Sequence, residues 1–182
     1  MPVIKDMEAL RTLLGYIGKT MNLLHGQEQA YLAFLEQDAP RLVQQRSLAM
    51  LHASFLADYY TCAETCFWRI AQFFENSLDG QRWHKDLLDR MRIAIPGMRE
   101  AVIQDEVHDA LQELMRFRHF RRYYFEMNYD MAKIEYLREK LHFLHRELPL
   151  DLLRFQTFLQ NLLHQMTSEE EPPWPEKNNQ TP

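Results

Sequence analysis

The stretch PRLVQQRSLAMLHASFLADYYTCAETCFWRIAQFFEN, residues 40–76, decides the fold. At about 100° per residue, Leu48, Leu51, Phe55, Tyr59, Cys62, Cys66, Ile70 and Phe73 form one apolar stripe, while Tyr60, Phe67 and Trp68 fall well outside it. A helix that is apolar on more than one side must be covered on more than one side. The stretch is therefore expected to be the central helix of a bundle, or one held between a core and a second subunit. Glu64 lies on its aromatic flank, where an ionised carboxylate is costly unless it meets a cation or hydrogen-bond donors. Either an arginine from elsewhere in the chain answers it, or it reaches water.

Working toward the N-terminus, Met7, Leu10, Leu13, Leu14, Ile17, Met21 and Leu24 recur at three and four, predicting a helix over 4–35 with a weak point near Gly26. Asp38, followed by Pro40 in the first turn, marks the start of the central helix. Toward the C-terminus, residues 76–81 (NSLDGQ) form a loop with an Asp-Gly turn signal, and residues 83–95 form a short helix closed by Pro96-Gly97. His84, near the start of that helix, fits a surface or capping position better than a ligand. A helix over 98–128 has Val107, Leu111, Leu114 and Met115 on its apolar side. Asp130 caps a helix over 131–147 with Ile134, Leu137, Leu141 and Leu144 inward, interrupted at Pro149. A last helix over 150–166 carries Leu152, Leu153, Phe155, Leu159, Leu162 and Leu163. The expected architecture is all-α, an antiparallel bundle of five to six helices. Residues 1–166 make one helical domain and 167–182 a disordered acidic, Pro-rich tail.

Composition agrees with this. The chain has 182 residues, 46% of them hydrophobic and 26% charged, with only 5 Gly, which favours helices over turn-rich folds. No long uninterrupted apolar run and no signal-peptide pattern is present, so a cytoplasmic protein without a membrane span is expected. Cys62 and Cys66, one helical turn apart, match neither a disulfide framework nor a zinc site and read as small core residues.

The formal net charge is -5, yet RFRHFRRYY, residues 116–124, places Arg116, Arg118, Arg121 and Arg122 within seven residues around His119. Such a cluster needs an anion, either a carboxylate of the chain or a partner's phosphate. Arg118 and Arg122 continue the apolar stripe of their helix, which aims them at the core or an interface, whereas Arg116, His119 and Tyr123 project elsewhere. Arginine forks suit phosphate oxygens and histidine moves protons near neutral pH, so the segment can bind RNA and assist cleavage by the ribose 2′-hydroxyl. Phe117, Phe120, Tyr123 and Tyr124 interleave with the cations and can stack bases, although core packing explains them more simply. His142 and His145 stand at i and i+3 without HExxH or a carboxylate-bridged companion motif. They read as exposed histidines rather than metal ligands. No Walker loop, dinucleotide fingerprint or nucleophile elbow occurs.

Residues 59–130 resemble the HepT-like branch of the HEPN superfamily. The likeness rests on residues 59–70 with Glu64 inside them, WHKDLL at 83–88, the Ile95-Pro96-Gly97 turn and RFRHFRR at 116–122. The resemblance implies a helical bundle that dimerises so that two protomers share one cleft, with RNA as substrate, no metal or other cofactor, and a nucleotidyltransferase antitoxin as partner. The family motif runs Arg, four to six residues, His, one residue, Tyr. Arg118 matches the Arg, but Tyr123 occupies the His position and Phe125 the Tyr position. Tyrosine, with an ordinary pKa of about 10, is a poor proton shuttle at neutral pH. The expected active residues are thus Arg118, Arg122, His119 and Tyr123, supported by Glu64 and Arg116. The chain is either a ribonuclease of weakened or lost activity, or a non-catalytic dimer that binds a partner or RNA, or a helical oligomer with a structural Arg–Glu network.

Overall fold

The computed structural model describes residues 2–75 and 83–168, the side chains of 2–5 and 83–86 excepted. The chain forms α1 (Pro2–Ala33), α2 (Gln45–Glu75), α3 (Trp83–Met91), α4 (Asp105–Tyr123) and α5 (Met131–Ser168), an all-α bundle. The expected loop at 76–81, the His84 side chain and the tail from residue 169 lie outside the described residues. Thr167 and Ser168 close α5.

α2 is the central element, in contact with α1, α3, α4 and α5. Its burial differs from the apolar stripe counted along the sequence. Tyr59, Cys66 and Ile70 are buried as expected, but Leu51 is exposed and Leu48, Phe55, Cys62 and Phe73 are only partly covered. As deep as Tyr59, Cys66 and Ile70 are Ala49, Ala53, Leu56, Ala63 and Ala71 and the off-stripe aromatics Tyr60 and Phe67. Small side chains let neighbouring helix backbones approach closely, and a count of large apolar residues overlooks them.

Several element boundaries differ from expectation, among them the end of α3 at Met91 rather than 95 and of α4 at Tyr123 rather than 128. α1 passes through Gly26 because Leu24 and Tyr31, on either side of it, are both buried. It then loosens into a π turn at Phe34–Asp38 and a 3-10 turn at Ala39–Arg41 around Pro40. Asp38 makes no side-chain cap, and α2 begins only at Gln45. α4 begins at Asp105 rather than 98. Residues before it are held instead by the Pro96-Gly97 turn, with Gly97 at φ 75° and the Met98 N–H on the Ile95 carbonyl. The Asp151 carboxylate of α5 also accepts the Gln104 N–H at 2.8 Å.

Pro149 does not end a helix; α5 runs unbroken for 38 residues. An interior proline costs about 3 kcal/mol. Leu144, Leu148, Leu152, Phe155 and Leu159 are all buried along one face across it, and each contributes roughly 1.5–3 kcal/mol. Continuous burial outweighs the missing donor. Just before the proline, Tyr59 of α2 donates its hydroxyl to the Leu144 carbonyl at 3.1 Å. Asp130 caps α5 as expected, accepting the Ala132 N–H at 2.9 Å.

His145 is buried rather than exposed, edge-on to Tyr59 with ring centroids 5.0 Å apart, while His142 is exposed. It belongs to a polar-aromatic cluster between α1, α2 and α5. There Arg138 donates to the Tyr31 hydroxyl at 3.0 Å, and Tyr31 in turn lies 2.9 Å from His52 Nδ1. Burial, reinforced by the Arg138 charge, lowers the His52 pKa to about 4. Burial likewise lowers that of His145, against the pull of Glu28.

A neutral buried histidine has a defined effect on stability. In the unfolded chain His52 takes up a proton below about pH 6.5, whereas the native ring stays neutral until about pH 4. Stability attributable to His52 is complete above pH 6.5 and falls as the pH drops toward 4, by roughly 3 kcal/mol in all. Denaturant unfolding at pH 7 and pH 5 should show about 2 kcal/mol of this loss in the parent protein and a smaller one in His52→Gln. Equal losses in both would refute the assignment.

Candidate functional site

The basic segment occupies the last two turns of α4. Its leading side chain is Arg118, whose guanidinium is partly buried against α2. Arg118 Nε donates to Thr61 Oγ1 at 2.8 Å, and its Nη2 lies 3.6 Å from Glu64 Oε2. Thr61 is itself fixed by a hydrogen bond to the Ala57 carbonyl at 2.8 Å. Glu64 is buried and therefore meets an arginine rather than water. Tyr60 completes the cluster. Burial raises its phenol pKa, and the adjacent Glu64 charge with its hydrogen bond raises it further. Tyr60 thus remains a neutral donor at any physiological pH.

An open groove of about 480 Å³ lies beside this anchor. Arg118, Arg121 and Arg122 line it with Asp58 and Thr61 of α2 and with Tyr124, Phe125, Met127 and Tyr129. Arg122 is exposed there rather than turned inward. α4 ends at Tyr123, and the stripe that projected Arg122 toward the interior is covered only as far as Arg118, one turn earlier. The backbone beyond α4 turns sharply, with Met127 at φ 54°, in the left-handed region that a non-glycine residue seldom adopts.

The remaining candidate side chains are placed differently. His119 and Tyr123 are exposed and touch each other edge-on, centroids 5.2 Å apart, without lining the groove. Phe125 is 83% exposed. Arg116 points to the opposite side of α4, where Glu113 and Gln112 each hold it at 2.8 Å. Thr61 and Asp58 were not singled out from the sequence. The signal available for Thr61 was its position one turn before Glu64 on the same face of α2.

Two further ionic clusters stand away from the groove. Glu75 pairs with Arg90 and, at 2.8 Å, with the fully buried Arg99 side chain. Burial pushes the Glu75 pKa up, but the hydrogen bonds and charges of both arginines prevail and lower it. His108 is buried between Asp89 at 2.8 Å and Asp109 at 3.0 Å. Among the described residues no three His, Cys, Asp or Glu side chains are grouped to hold a metal ion, and no helix is long and apolar enough to cross a membrane.

The chain is thus an all-α bundle centred on α2, in which Arg118 of α4 stands beside Glu64 of α2. Residues 51–159 match the family model described as HepT-like protein, and the chain belongs to that family. The match spans α2 from Leu51 onward, α3, α4 and most of α5, including Glu64 and the whole basic segment. No curated protein and no solved structure matches the chain.

Proposed function

We propose that this protein is an RNA-directed member of a toxin–antitoxin type system, working as a homodimer beside a nucleotidyltransferase partner. Its groove holds RNA phosphates while cleavage is weakened or lost. The observation that carries this reading is the groove: three arginines on one wall in a protein of net charge -5, one of them fixed in place by Thr61 and Glu64. A preset guanidinium binds a phosphate with little further ordering cost.

The weakness lies in proton transfer. Proton abstraction from a 2′-hydroxyl needs a base within hydrogen-bond reach, and no histidine lines the groove among its described residues. Tyr123 and Phe125 stand where the family motif has His and Tyr. His119 is one turn earlier than Tyr123 and in contact with it, which makes it the nearest substitute. These placements favour binding over catalysis and support a partner-binding role as the second reading.

The experiment is binding of single-stranded RNA by the purified full chain, with Arg122→Ala and Arg118→Ala beside it. Arg122 is exposed, so its loss leaves the fold intact and should weaken binding about tenfold. Arg118→Ala should weaken it further. Unchanged affinity in a folded Arg122→Ala protein would remove the proposal.

A further inference from the structure

On the other side of Tyr124 and Tyr129 lies a second and larger cavity, of about 680 Å³, between α4 and the start of α5. Phe117, Phe120, Tyr124 and Tyr129 line it, and Glu113, Arg116, Asp130 and Lys133 are at its edge. Phe117 is buried and packs 5.8 Å from the Tyr129 ring. Phe120 stacks on Tyr124, with centroids 4.6 Å apart and 25° between planes, and keeps half its surface open. Ordinary core packing would close such a cluster.

We propose that this cavity is a nucleobase subsite that receives a base of the same strand whose phosphates lie in the arginine groove. This rests on the groove's assignment to RNA phosphate. Tyr124 and Tyr129 line both cavities, so a strand crossing Tyr124 presents its backbone to Arg118, Arg121 and Arg122 and its bases to Phe120. Flat aromatic surface beside a cationic track is the chemistry that single strands require. The edge of the cavity matches a base edge as well. Lys133 and Arg116 supply donors, both steadied on Glu113 at 3.2 and 2.8 Å, and the Asn128 side chain brings both a donor and an acceptor. An apolar protein side chain would fill the aromatic floor but would leave these polar groups and the adjoining arginine track unused.

The test is a fluorescence anisotropy titration with two RNA oligomers of equal length and charge, one intact and one with abasic positions throughout. Phe120→Ala should weaken the intact strand about tenfold or more and leave the abasic strand unchanged. Phe120→Tyr should bind the intact strand like the parent protein. If the parent binds both strands equally and with strong salt dependence, the phosphate groove stands and the subsite is refuted. If neither strand binds, the RNA assignment itself fails and takes the subsite with it. Should Phe120→Ala leave both affinities unchanged yet lose a copurifying protein, the cavity is a protein-docking site and the proposal is overturned.

Discussion

The double variant Tyr123→His, Phe125→Tyr should cleave RNA about 10²–10⁴ times faster than the parent protein, the range that a positioned general acid or base contributes. The two substitutions place the family's residue types back at the spacing that begins with Arg118, Phe125 in the groove and Tyr123 at its margin, between the groove-lining Arg122 and Tyr124. Histidine ionises near neutral pH, with an ordinary pKa of about 6.5 against about 10 for tyrosine. Neither change disturbs packing, because Tyr123 is 61% and Phe125 83% exposed. Stability should therefore move by less than about 0.5 kcal/mol. The gain should vanish when Arg118→Lys is added, since a lysine lacks the fork that Thr61 and Glu64 hold. A double variant that binds RNA as well as the parent and cleaves it no faster would show that more than these two positions separates this chain from catalysis.

Glu75→Ala should cost about 3–5 kcal/mol of folding stability, the largest effect expected of any single substitution here. Glu75 is the carboxylate that joins Arg90 of α3 to Arg99 of the following loop, at the C-terminal end of α2. The Arg99 side chain is entirely buried. Its Nη1 and Nη2 groups also donate to the carbonyls of Ile93, Glu100 and Arg90 at 2.9–3.2 Å, while its buried Nε has no hydrogen-bond partner among the described residues. Without Glu75 its charge has lost its compensating carboxylate in a low-dielectric setting, which is the costly half of a broken buried pair. Because the arginines hold the Glu75 pKa below its ordinary value, this contribution is present above about pH 4.5 and is lost as the pH falls through the native pKa. Urea unfolding at pH 7 measures it, and a loss below 1 kcal/mol would mean that Arg99 is satisfied by backbone carbonyls alone.

The bundle was legible in the sequence because helical periodicity is a local signal. Ile134, Leu137, Leu141 and Leu144 are all buried, and Asp130 caps α5. The unbroken passage of α5 through Pro149 was not legible, since it depends on how well Leu148 and Leu152 pack against other helices. The alanine-lined interior of α2 escaped for a similar reason: the value of a small side chain lies in what it lets approach. At the site, the Glu64–Arg118 contact was foreseeable because a charge on an aromatic flank demands a partner. The Glu75–Arg99 pair was not, because nothing local distinguishes either residue from a solvated charge. Arg122 was projected inward along a helix that stops one residue later, but the cover over that face ends at Arg118, and Arg122, one turn on, lies exposed in the groove.

The most direct measurement is the salt dependence of single-stranded RNA binding by the parent protein, Arg121→Ala and Arg122→Ala. Phosphate contacts release counterions, so log affinity should fall linearly with log salt, and each arginine removed should flatten the slope by about 0.7. Binding that ignores salt, or a slope the two variants leave unchanged, would contradict the claim that this groove holds an RNA backbone.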